Sequence, residues 1–232
     1  MDYKFQNIPF GERVIKVLCP ATVANLVCGF DILGLALNEP SDIMEVKLLD
    51  KPTVIIHNRD DFNLPTDPEK NVAGVVFLAV MERIGGNYGF EVTIEKHIKP
   101  GSGIGSSAAS AAGAAVAANH LLGNIFSPDD VVQLAMNGEK LASGVKHADN
   151  IAPCILGGVS LIRSIHPLDI ISIPSPDLYV TVVHPQIEVR TSDARQILRQ
   201  QVLLKDAIRQ WGNIAGLVAG FLKNDLDLIG RS

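Results

Sequence analysis

Between Pro100 and Ala109 the chain reads P-G-S-G-I-G-S-S-A-A, three glycines at alternate positions followed at once by two serines and a run of alanines. Gly101, Gly103 and Gly105 permit positive φ and leave the backbone bare, so successive N–H groups can turn toward a single anion. The alanine-rich run predicts a helix, whose N-terminal partial charge falls on the same spot, and the junction has the chemistry of a phosphate site. Ser106 and Ser107 add hydroxyls suited to phosphate oxygens or a bound magnesium ion. A plain glycine-rich turn joining a strand to a helix explains the same residues, because short glycine motifs recur without ligands. Two other phosphate loops are excluded. Gly103 to Ala108 fits G-x-G-x-x-A, but a dinucleotide fold needs an acid at a strand end about 20 residues on. The acids at that distance, Asp129 and Asp130, open a helix instead. No Gly-Lys-Ser/Thr follows the loop, so it is not a Walker A motif.

The surrounding sequence supplies elements that could hold such a loop. Phe90 to Ile98 alternates apolar and polar residues and predicts a strand with one wet face leading into the glycines. Val14–Leu18 predicts a short strand stopped at Pro20, followed by a loop-like stretch with Gly29 and Gly34. Ile43–Leu49 and Val54–Ile56 read as strands. Asn71 to Ile84 has helical spacing, with Asn71 as N-cap and Gly85-Gly86 as stop. The alanine-rich helix runs to about Leu122. Ser127-Pro128-Asp129-Asp130 opens another, ending near Leu141. Ile151–Ile162 reads as a strand pair bent at Gly157-Gly158, and Leu178–Val183 as a strand ended by Pro185. From Ser192 onward the pattern is helical to about Leu222. The class is mixed α and β.

Composition narrows the function classes. The chain has 232 residues, 47% hydrophobic and 19% charged, enough for a sizeable core. Twenty Lys+Arg against 25 Asp+Glu give a net charge of −5, and with only 5% aromatic residues a nucleic-acid partner is not expected. Cys19, Cys28 and Cys154 are scattered and odd in number, which fits a reducing compartment better than disulfides or zinc. No stretch approaches the roughly 20 apolar residues of a membrane span. The N-terminus lacks the apolar core of a signal peptide, so a cytoplasmic protein without a membrane partner is expected.

The glycine loop resembles the central ATP-binding motif of the GHMP kinase superfamily. Cys19–Leu37, with P-A-T-V-A-N before G-F-D-I-L-G, and Gly138–Gly158, with G-E-K-L-A-S-G-V-K-H-A-D-N-I-A-P, resemble segments of its homoserine kinase branch. The resemblance implies an α+β protein: a ribosomal protein S5 domain 2-like N-terminal domain over 1–165, then a ferredoxin-like GHMP C-terminal domain over 166–232, apparently truncated. It implies transfer of phosphate from ATP, with Mg2+, to the hydroxyl of the small molecule L-homoserine. Another GHMP kinase acting on a different alcohol, or a non-catalytic nucleotide-binding relative, stays open. A homodimer is also implied.

Carried over residue by residue, the resemblance assigns ATP contacts to Pro100, Gly101, Ser102, Gly103, Ile104, Gly105, Ser106, Ser107, Ala108 and Ala109, with Asn71 and Lys96 lining the nucleotide pocket. Ser107 and Glu139 fall on the metal. Asn25, Asp31, Asn150 and Arg195 fall on the substrate, Asp31 toward its ammonium and Arg195 toward its carboxylate. Glu139, Asn150 and Thr191 are the catalytic candidates. His147 receives no role. An amide at Asn150 cannot take the substrate proton, so catalysis by approximation and metal electrostatics is expected, without a protein general base. The pattern departs from the family at Val27-Cys28, where Gly-Pro is common, and a β-branched residue there resists positive φ. A third glycine-rich motif and a further arginine of the family are not found before Ser232.

Overall fold

The computed structural model describes residues 12–85, 87–183, 196–199 and 201–232. Its organising strand is β2 (Leu33–Leu49), 17 residues long. β1 (Val14–Ala24) pairs antiparallel along one edge of it. The other edge is shared: Ile43–Leu49 pairs with β4 (Gly89–Glu95) and Leu33–Leu35 with β5 (Val159–Ile165), both antiparallel. β3 (Val54–Asn58) lies parallel to β4 outside it, and β6 (Leu168–Ile173) antiparallel to β5. Parallel neighbours need a crossover, and α1 (Val72–Ile84) provides it between β3 and β4.

Alternation decides which face each strand buries. Met44, Val46 and Leu48 of β2 and Phe90, Val92 and Ile94 of β4 are buried in one core with α1, α2 (Ser106–Leu121) and α3 (Pro128–Ser143). Phe77 of α1 stacks on Phe90 with ring centroids 4.7 Å apart. Small residues set the depth of α2. A Cβ on Gly113 would lie 2.3 Å from Cys19 Sγ and 2.5 Å from Met44 Sδ, so the helix rests directly on β1 and β2. Leu33 and Leu35, on the opposite pleat of β2, join Cys28, Val159 and Ile173 in a second cluster. Leu217 and Phe221 of α5 (Leu204–Lys223) close that cluster, and α6 (Leu226–Gly230) packs back on α5. Among the described residues no helix is long and apolar enough to cross a membrane.

Several boundaries differ from the sequence reading. β1 does not stop at Pro20; it passes through with a register shift between Pro20 and Thr22 and continues to Ala24. Such an irregularity is where a strand tolerates a residue without an N–H. Residues 151–156 form the short helix α4 rather than a strand. Pro153 sits in its first turn, where no N–H is required, and Gly157 ends it; the β-branched composition of the segment had pointed the other way. Residues 178–183 carry no regular secondary structure, and Pro185 lies outside the described residues.

The start of α3 illustrates how the helices are fixed. Ser127 and Asp130 form a capping box behind Pro128, and Arg83 of α1 pairs with Asp130 while lying over the Phe126 ring. The hydrogen bonds from Ser127, then the Arg83 guanidinium, hold the Asp130 carboxyl below its ordinary range. A carboxyl depressed in the folded state stabilises above its unfolded value, about 3.9, and that contribution is lost as pH falls through the folded one. Asp130→Ala is expected to lower stability at pH 7 by about 1 kcal/mol, and urea titrations of variant and parent should converge only once pH has fallen through the depressed folded value of Asp130, which lies under the unfolded value of about 3.9.

Candidate active site

The residues that position the glycine loop lie beneath it. Asp42 and Lys96 occupy the same pleat parity as the core residues of β2 and β4, one step beyond the Ile43–Glu95 pair, and both side chains are buried. Charges so placed must pair with each other, and Lys96 Nζ donates to Asp42 Oδ2. The same ammonium donates to Ser106 O at 2.8 Å and Ser110 Oγ at 3.0 Å, in the first turns of α2. Asp42 Oδ1 accepts from the N–H groups of His97 and Ile98, each at 2.8 Å. Ser106 Oγ donates back to Ile98 O at 2.8 Å. Strand exit and helix entry are tied at one point, and the intervening chain bulges out with Gly101, Gly103 and Gly105 at φ of 76°, 80° and 72°.

The beginning of α2 has no side-chain cap, a feature it shares with α4 and α5. α1 and α3 carry side-chain caps, Asn71 accepting from Ala73 and Gly74 and Ser127 from Asp130. The N-cap of α2 is Gly105, with no side-chain cap. The leading N–H groups of a helix have no partner within it, and here they border a cavity of about 420 Å³. Pro100, Gly101, Gly103, Gly105, Ser106 and Ser107 line it, together with Asn71 and Lys96. Ser107 Oγ donates to Glu139 Oε2 at 3.3 Å, bringing a hydroxyl of α2 and a carboxylate of α3 to the cavity wall. Hard oxygen donors of this kind suit magnesium, which takes few protein ligands.

The opposite wall comes from the β1–β2 loop and the entry to α4. Asn25, at φ 71°, accepts from the Asp31 N–H through Oδ1 at 2.9 Å, and Asp31 itself stands at φ 63°. Val27 adopts φ 62° as well, so this valine takes the left-handed backbone that a β-branched residue resists. Asn150 and the buried Asp149 complete the wall, and Asp149 Oδ1 accepts from the Asn150 N–H at 3.2 Å.

Not every expected residue reaches the cavity. Ala108 and Ala109 are fully buried in the core of α2. Ile104 turns its side chain to the core and its carbonyl to the Thr22 N–H, and Ser102 is tied to Lys99 O through its N–H. None of these four lines the wall. Lys96 does, but its ammonium is directed onto Asp42 and not outward. Thr191 and Arg195 lie outside the described residues. A larger cavity, about 690 Å³, between α1, α3 and the β5–β6 hairpin holds none of the expected residues.

The sequence reading missed Asp42, Thr22, Ser110 and His147. Asp42 was detectable, being the one acid on the apolar parity of its strand. His147 lines the cavity with Nδ1 3.7 Å from Asp31 Oδ1, a contact between segments more than a hundred residues apart that no local pattern shows. None of the three cysteines lines this cavity. Burial, then the nearby Asp42 carboxylate, pushes the Cys19 thiol up to about 12, and burial raises Cys154 also.

A glycine-rich, laterally anchored loop opening a small-residue helix, opposite a wall of amides and carboxylates, defines the site of a GHMP kinase. Residues 71–158 match the GHMP kinases N terminal domain family. The homoserine kinase of Chloroherpeton thalassium is 46% identical over 95% of this chain and 73% of its own length. That of Methanocella arvoryzae is 43% identical over 94% and 70%. A homoserine kinase structure from Cytophaga hutchinsonii superposes with a TM-score of 0.88 at 48% identity, covering 98% of this chain and 72% of that one. The chain belongs to the homoserine kinase family.

The strained loop generates a prediction. Val27 is 96% exposed, so removing its side chain forfeits no packing, while glycine relieves the left-handed backbone. Val27→Gly is expected to raise unfolding free energy by about 1 kcal/mol in urea; a loss of stability contradicts the strain.

Proposed function

We propose that the protein transfers the γ-phosphoryl group of ATP to the side-chain hydroxyl of L-homoserine, giving ADP and O-phospho-L-homoserine. The observation that carries the reading is the joining of two walls in one cavity. One is the uncapped α2 entry beside Ser107 and Glu139; the other is Asn25, Asp31 and Asn150. The homoserine kinases matched over most of their lengths support the substrate.

In this reading the N–H groups of the glycine loop and of Ser106 and Ser107 hold the phosphates. Asp31 meets the substrate ammonium, and Asn25 and Asn150 hydrogen-bond the substrate. Arg195 is assigned to the carboxylate and Thr191 to the region of the transferred group, both on the motif alone. Ser107 and Glu139 would hold Mg2+, which when bound neutralises charge on the phosphate oxygens. The substrate hydroxyl oxygen forms the new O–P bond as the bond between phosphorus and the ADP oxygen breaks, and the hydroxyl proton passes to phosphate or solvent. Phosphoryl transfer depends mainly on position and electrostatics, which suits a wall whose central group is the amide of Asn150. Cytoplasmic residence is supported by three free cysteines. Homodimerisation and the division near residue 165 rest on the family resemblance, with the β5–β6 hairpin straddling that division.

The test is magnesium-dependent ADP release with L-homoserine, beside mevalonate, galactose and a blank. Homoserine alone is expected to stimulate release. Glu139→Ala should lose most turnover, about 100-fold or more, while Asp149→Asn keeps much of it. Equal, severe losses in both would place a general base at Asp149 and contradict the mechanism.

A further inference from the structure

Thr22 belongs to no expected role, yet it joins the glycine loop to Asn150 from beneath the cavity. It lies in β1 just after the register shift at Pro20 and is fully buried. Its N–H donates to Ile104 O at 3.2 Å, in the glycine loop. Its hydroxyl donates to Asn150 Oδ1 at 2.8 Å, bridging 128 residues of sequence. The same hydroxyl abuts Gly105: a Cβ there would stand 2.1 Å from Thr22 Oγ1 and 3.2 Å from Asn150 Oδ1. A buried hydroxyl is costly unless bonded, and a valine would satisfy the strand and the packing without it. The hydroxyl therefore serves a geometric purpose.

That purpose follows from the chemistry of an amide. Asn has one acceptor end and one donor end. In the structure Oδ1 faces the Thr22 hydroxyl, and Nδ2 is the end left to the cavity that Asn150 lines. We infer that Thr22 is a positioning residue that fixes the Asn150 amide donor-outward and locks it to the phosphate loop through Ile104 and Gly105. Asn150 then donates to an oxygen of the reacting groups and does not accept the substrate proton. The distance between the amide and the phosphate loop is set by one side chain. A displacement of about 1 Å is enough to cost 100-fold in rate, so the lock acts on turnover more than on affinity.

This inference rests on the homoserine phosphorylation proposed above, and the experiment separates the two. Thr22→Val, which keeps shape and loses the hydroxyl, is compared with Thr22→Ser, which keeps the hydroxyl, in the full chain. Steady-state kinetics with L-homoserine are read beside Mg-ATP affinity by calorimetry. Thr22→Val is expected to lower kcat about 10- to 100-fold, with KM for homoserine and the Mg-ATP Kd within about threefold of the parent. Thr22→Ser should restore kcat to within about threefold. Asn150→Asp supplies a second arm should Thr22→Val not fold: it keeps an acceptor for Thr22 but has no donor, and its kcat should fall at least about tenfold. Equal kcat for Thr22→Val and Thr22→Ser, or a fully active Asn150→Asp, overturns the inference while leaving the function standing. A parent that does not phosphorylate homoserine overturns the function and this inference together.

Discussion

A single buried ion pair holds the site together. Asp42 and Lys96 are the charged members of two otherwise apolar strand faces, and each uses its remaining hydrogen-bonding capacity on backbone or hydroxyl groups of the glycine-loop region. An ion pair of this kind adds little net stability over apolar residues of the same size, whereas removing one partner leaves an uncompensated charge and costs about 3–5 kcal/mol. Its value here is geometric. Six hydrogen bonds, counting Ser106 to Ile98, converge on the ends of the loop, so its glycines can adopt left-handed backbone without the whole segment wandering. A loop that is ordered before its anion arrives does not lose that ordering entropy on binding.

The alanine-rich helix is the second consequence of the same arrangement. Its small residues let α2 lie on β1 and β2 at the distance of a glycine Cα, which brings its N-terminus within reach of Thr22 and of the α4 entry. A Cβ at Gly113 would crowd the Cys19 and Met44 sulfurs, so those side chains or the helix would have to shift. The packing of α2 and the lining of the cavity are therefore set by one stretch of sequence, and the alternation of β4 aims that stretch at the cavity.

Much of this was legible in the sequence where a residue has one physical use. Alternate glycines before a small-residue helix, the cap at Asn71 and the Ser127 box could be read from spacing, because each satisfies backbone groups locally. Lys96 was read as a pocket residue; its parity with Phe90, Val92 and Ile94 carried the information that it points inward, and Asp42 on the parity of Met44 supplies its partner. Residues 151–156 were misread because propensity favours a strand, while tertiary contacts and Gly157 make a helix. Contacts between distant segments, Thr22 with Asn150 and Asp31 with His147, have no signature in local pattern. Thr191 and Arg195 come from motif alone, and their surroundings lie outside the described residues.

The central claim is that the Asp42–Lys96 pair organises the glycine loop proposed to hold the ATP phosphates. The most direct measurement is amide hydrogen exchange over residues 97–109 in Asp42→Asn, read against the β2–β4 amides and paired with Mg-ATP affinity. The account predicts exchange in the loop and first turn of α2 that quickens more than in the β2–β4 amides, and binding weakened about tenfold, roughly 1.4 kcal/mol. Unchanged loop exchange with unchanged affinity would contradict it.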